Sequence, residues 1–143
     1  MRINEVLKNK PVAGVVTIAP DATVRDLLAL LAEHNVGALI VSSDGAAVDG
    51  IVSERDVVRR LQADESLLDS AVASIMTSTV HTCEADASLD DLMVLMTEQR
   101  FRHVPVVADG ALIGIVSIGD VVKNRMAELE FERDQLDSYV HQT

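Results

Sequence analysis

The phrase "GIVSERDVV", residues 50–58, returns with two letters changed as "GIVSIGDVV", residues 114–122. In a chain of 143 residues this recurrence points to a duplicated unit. Working outward, a shift of 65 places the run Thr17 to Thr23 on Thr82 to Ser88, and Asp44-Gly45 on Asp109-Gly110. Beyond that turn the shift becomes 64, as a one-residue length change in a hairpin allows. A unit of about 50 residues buries too little apolar surface to stand alone, so the halves are expected to share one core.

Each copy changes period in the same order. Val24, Leu27, Leu28 and Leu31, and likewise Leu89, Leu92, Met93 and Met96, recur at helical spacing behind Thr23 and Ser88. Buried-type strands follow over 38–42 and 104–107, each trailed by Asp-Gly as a hairpin signal. A second strand ends in Gly-Ile-Val-Ser, and a second helix starts at Glu54 or Ile118. Short strands are expected ahead of each unit, over 15–18 and 80–83.

The recurring Ser-x-x-Asp has two readings. It is a capping box, in which each side chain satisfies an orphan backbone N–H at a helix start. It is also a hydroxyl and a carboxylate at a helix N-terminus, where ribose and phosphate can be held. Spacing alone does not separate them, because Thr23/Asp26 and Ser88/Asp91 repeat it. What distinguishes Ser53/Asp56 and Ser117/Asp120 is the preceding glycine and β-branched pair, a strand running straight into a helix.

Composition narrows the partners. The net charge of −11 disfavours nucleic acid and anionic membranes, which need basic surface. Aromatics are confined to Phe101, Phe131 and Tyr139, so a purine here would lie among aliphatic side chains. The lone Cys83 suits a reducing compartment, and no apolar stretch approaches the roughly 20 residues of a membrane helix, so a cytoplasmic protein is expected. His34, His81 and His141 stand apart from any metal-ligand spacing, so no metal is expected. No P-loop, dinucleotide fingerprint or Ser/His/Asp arrangement is present in the sequence, and a non-enzyme is expected.

The element order, the duplication, "TIAPDATVRDLLALLAEHNVGALIV" (17–41), "RFRHVPVV" (100–107) and both Gly-Ile-Val-Ser-x-x-Asp phrases resemble cystathionine β-synthase (CBS) domains in tandem, a Bateman module. The resemblance implies an α+β fold, two βαββα-type repeats related by a pseudo-two-fold axis and packed through their sheets. Repeat 1 would span 1–70 with an N-terminal segment, repeat 2 would span 71–125, and a helical extension would cover 126–143. It further implies a stand-alone regulatory sensor with two clefts for an adenine nucleotide such as AMP, ADP, ATP or NAD, or for S-adenosylmethionine. The first cleft would use Ser53, Arg55 and Asp56 with Thr77 to Thr82. The second would use Ser117 and Asp120 with Val15, Val16 and Thr17, and Arg102 and His103 would hold phosphate. Gly37-Ala38 replaces that basic pair in the first copy, and Gly119 replaces Arg55 in the second, so unequal clefts are expected. The competing reading is an oligomerisation scaffold with vestigial clefts. From Met126 onward, Leu129, Leu136 and Tyr139/Val140 fall at roughly heptad spacing, which suggests an extended helix able to pack on a second subunit in a homodimer.

Overall fold

The computed structural model describes residues 1–11 and 14–141. After helix α1 (Ile3–Lys8), the first unit runs β1 (Thr17–Ile18), α2 (Val24–His34), β2 (Ala38–Val41), β3 (Gly50–Ser53) and α3 (Glu54–Leu61). Two 3-10 turns, Leu67–Asp69 and Val72–Ser74, lead to the second unit. That unit repeats the order as β4 (Cys83–Glu84), α4 (Leu89–Gln99), β5 (His103–Ala108), β6 (Ala111–Ser117) and α5 (Ile118–Val140). Each unit forms one three-stranded sheet, its short first strand parallel to the middle strand and its third antiparallel.

Local chemistry sets the element ends. Thr23 and Asp26 form a reciprocal capping box on α2, and the Ser88 hydroxyl accepts the Asp91 N–H at 3.1 Å on α4. Both helices stop on a residue in the left-handed region, Asn35 at φ 52° and Arg100 at φ 58°. The two Asp-Gly pairs behave differently. Asp109 and Gly110 both take positive φ, as a two-residue hairpin between β5 and β6 requires. Asp44-Gly45 instead lies in a longer loop: Val41 still pairs with Gly50, and Asp44 Oδ1 accepts the N–H groups of Ala46 and Ala47. The expected hairpin forms there through a longer loop closed by a side chain, whereas the second copy has a tight turn and a bulge at Val106/Val107.

The expected single core is not what forms. Buried side chains fall into two clusters, and each cluster recruits chain from outside its own unit. Ile18, Val24, Leu27, Leu39, Val41, Val52 and Val57 are completed by Leu67, Val72 and Ile75 from the connecting segment. Leu89, Leu92, Met96, Val104, Val106, Val116 and Val121 are completed by Ile3 and Val6 of α1. The docking is equivalent in detail. Ile3 N–H donates to Ala87 O at 2.9 Å and Val72 N–H donates to Ala22 O at 2.8 Å, while the bridges Arg2–Ser88 and Ala71–Thr23 match as well. The shortage of apolar surface in a small unit is thus met by a borrowed segment. Between the units, Leu112 N–H donates to Ala46 O at 2.8 Å. Ala38 and Ile40 point away from the first cluster yet are buried, so both faces of β2 are covered.

Gly50 and Gly114 are where these borrowed segments cross the third strands. A Cβ on Gly50 would lie 2.7 Å from Met76 Sδ and 2.8 Å from the Thr77 carbonyl oxygen. On Gly114 it would meet only the Leu7 side chain, at 2.8 Å.

Candidate functional site

Two strand-to-helix corners face the ends of β3 and β6. At the second, Ser117 N–H donates to Asp120 Oδ2 at 2.9 Å and Asp120 N–H donates to Ser117 Oγ at 3.1 Å. At the first, both the backbone N–H and the hydroxyl of Ser53 donate to Asp56 Oδ2, at 2.8 and 3.2 Å. The capping reading therefore holds at Thr23, Ser53, Ser88 and Ser117, whereas Ser66-x-x-Asp69, ahead of a 3-10 turn, makes no side-chain cap. The two corners still differ from the plain caps: Asp26 and Asp91 are exposed, whereas Asp56 and Asp120 are half-buried beside the strand that feeds their helix. A half-buried carboxylate keeps acceptor capacity in a place with less competing water.

The remaining expected residues are not all gathered at the corners. Thr77 lies against β3, exchanging both backbone hydrogen bonds with Ile51 at 2.9 Å, two residues along the strand from Ser53. Arg55 is exposed on the first turn of α3, and Thr82 is exposed just before β4. In the second unit His103 pairs across the sheet with Ser117, and the Arg102 carbonyl accepts the Ile118 N–H at 2.9 Å. That bond has its counterpart in Glu54 N–H to Gly37 O at 3.0 Å. Val15, Val16 and Thr17 are half-buried; Val16 packs on the first core and Thr17 pairs with Ile40.

Sequence reasoning missed Lys10. Its ammonium lies 3.0 Å from Asp120 Oδ2 and donates to the Ile115 carbonyl at 2.8 Å. Asn9 fastens the same segment: its Nδ2 donates to Asn124 Oδ1 at 2.8 Å, and Asn124 Nδ2 donates to the Asp120 carbonyl at 2.7 Å. Burial pushes the Asp120 carboxyl up, but the Ser117 N–H and Lys10 outweigh it and hold the group below the ordinary aspartate value. His103 is pushed below the ordinary imidazole value by burial first and by Lys10 next, against the opposing pull of Asp120. The Cys83 thiol, half-buried against the second core, is pushed up to about 11 by burial and by Glu84, as a structural thiol would be.

A duplicated α+β module with two like corners, each a strand entering a capped helix beside a borrowed segment, is the class this architecture defines. The chain belongs to the CBS domain family, whose model matches residues 5–63 and 72–127. It is 38% identical over 125 residues to the mitochondrial CBS domain-containing protein CBSX3 of Arabidopsis thaliana; the match covers 84% of this chain and spans 61% of that protein's length. Among solved structures it is similar to a CBS-domain containing protein from Agrobacterium tumefaciens, at TM-score 0.81 and 39% identity, covering 87% of this chain and 99% of that one. The CBS domain pair of protein MJ0100 shares the fold at TM-score 0.76 and 22% identity, over 86% of this chain and 98% of that one.

Proposed function

We propose that the chain is a regulatory module that binds an adenine nucleotide, of the AMP, ADP, ATP or NAD type, at the two corners, and that it senses the ligand without transforming it. The observation that carries this reading is the pair of half-buried carboxylates, Asp56 and Asp120, each held at the N-terminus of a helix beside a second polar segment. A carboxylate in that position accepts the two hydroxyls of a ribose, and the helix N-terminus favours the anionic end of a nucleotide. The MJ0100 pair was solved in complex with 5′-methylthioadenosine and S-adenosyl-L-methionine, which supports adenosyl chemistry as the place to begin. The first site takes Ser53, Arg55, Asp56, Thr77 and Thr82; the second takes Ser117, Asp120, Arg102 and His103 with the 15–17 stretch. Binding changes the output only to the extent that the ligand prefers one arrangement of the repeats over another.

Isothermal titration with AMP, ATP, NAD, S-adenosylmethionine and adenosine tests the reading. Asp120→Ala is expected to weaken adenosine and AMP alike by about ten-fold or more, because it removes charge-assisted hydrogen bonds to the ribose. No heat from any of the five ligands on the intact protein would sink the proposal.

A second copy of the chain is the partner that α5 fits best. Val122, Met126, Leu129, Leu136 and Val140 form one exposed stripe along its length, with Arg133 at the remaining position. An antiparallel pairing centred near Leu129 and Arg133 sets Lys123 against Asp137 of the other copy, whereas a parallel one sets Arg133 against itself. The double variant Leu129→Glu, Leu136→Glu is expected to halve the mass seen by sedimentation equilibrium. Wild-type protein already at monomer mass would remove the dimer. The lone, half-buried thiol of Cys83 suits a reducing, cytoplasmic setting.

A further inference from the structure

We infer that Lys10 is a ligand-contacting residue of the second corner and that it makes this corner, unlike the first, a site for phosphorylated nucleosides. The inference rests on the nucleotide reading above and adds to it what distinguishes the two sites.

The two corners carry equivalent acceptors. Ile51 and Ile115 occupy the same place in the repeated phrase. The Ile51 carbonyl accepts a backbone N–H, that of Thr77, at 2.9 Å. The Ile115 carbonyl accepts the Lys10 ammonium at 2.8 Å. A side-chain cation has therefore replaced a fixed peptide N–H. The replacement is possible because the connection from Leu7 to Thr17 is four residues longer than that from Met76 to Thr82, although Leu7 and Met76 reach their units equivalently.

The cation is placed for a ligand. An ammonium has three donors; Ile115 O takes one and Asp120 Oδ2 another, which leaves the third for an incoming group. Asn9 holds the backbone next to it through Asn124, so the charge is positioned before any ligand arrives. Arg102 and His103 stand beside this corner, His103 paired with Ser117 and the Arg102 carbonyl accepting the Ile118 N–H; Lys10 and Arg102 both act on the His103 imidazole, with Asp120 and Glu54 as the opposing anions. The first corner has Thr77 in place of Lys10 and Gly37-Ala38 in place of the basic pair, and the Glu54 carboxylate approaches Gly37. Its surroundings favour a neutral or cationic adenosyl group, and those of the second favour a phosphate.

Titration calorimetry of the full chain with AMP and with adenosine decides the matter. Lys10→Met is expected to weaken AMP by about 10- to 100-fold at the site abolished by Asp120→Ala, while adenosine changes by less than about three-fold. Lys10→Arg is expected to retain most of the AMP affinity, and an unchanged melting temperature in both variants confirms that the fold is intact. Equal losses for the two ligands, or none, overturn the role of Lys10 and leave the nucleotide reading standing. If neither ligand binds the intact protein, both fall together.

Discussion

Ile3→Ala is expected to lower the unfolding free energy by about 2–5 kcal/mol, and to do so through the second repeat. Ile3 is fully buried among Leu89, Val104, Val106 and their neighbours, although it lies more than eighty residues earlier in the chain. Truncation removes its transfer free energy and leaves a cavity that α1, tied to Ala85 and Ala87 by two backbone hydrogen bonds, cannot close. Hydrogen exchange should show β5, β6 and α4 losing protection while β2 and β3 keep theirs. The mirror change, Val72→Ala, should expose the first unit instead, because Val72 belongs to the other cluster. If Ile3→Ala loosened β2 and β3 first, the account of borrowed segments would be wrong.

The second large effect belongs to Gly50. Gly50→Ala is expected to cost about 1–3 kcal/mol, and clearly more than Gly114→Ala. The two glycines are equivalent in sequence and crowded to the same 2.7–2.8 Å, but by different atoms. At Gly50 a methyl group meets the Thr77 carbonyl, which is fixed by its pairing with Ile51, so strand and segment must separate. At Gly114 it meets the end of Leu7, and a side chain can turn aside. Urea unfolding of the two variants measures the difference, and equal losses would show that the backbone crossing at Gly50 is not rigid. Because the same crossing holds Thr77 on β3, two residues from Ser53, Gly50→Ala should also weaken ligand at the first corner.

What the sequence could and could not disclose follows from the range of the forces involved. Periodicity and capping are local, so α2, α4 and the strands that follow them were readable from Thr23, Ser88 and the apolar spacing, whereas β4 forms at Cys83–Glu84, later than the 80–83 stretch expected. The repeated phrase made the duplication visible, and with it the family. Three things were hidden because they depend on contacts distant in the chain. Nothing around Ile3 says that it packs on the second unit. The Asp44-Gly45 pair looked like Asp109-Gly110, yet Asp44 closes its turn with a side chain. Lys10 carried no motif, and its place beside Asp120 follows from a four-residue surplus that only the docked positions of Leu7 and Met76 bring out. Of the candidate site, the carboxylates and the basic pair were legible; the cation that neutralises one of those carboxylates was not.

Helix α5 has a mechanical consequence. Its first turn carries Asp120, and it continues without a break to Val140, a rod of about 35 Å. Only its first turns are packed: Val121 and Asn124 are its buried residues, and residues 129–140 are exposed. A rod gripped at one end is a pointer. A tilt of about 10° at the root would sweep the far end through about 6 Å. In the proposed regulatory role, the exposed half of the helix would carry a displacement at Asp120, too small to alter either core, out to the face offered to the second copy.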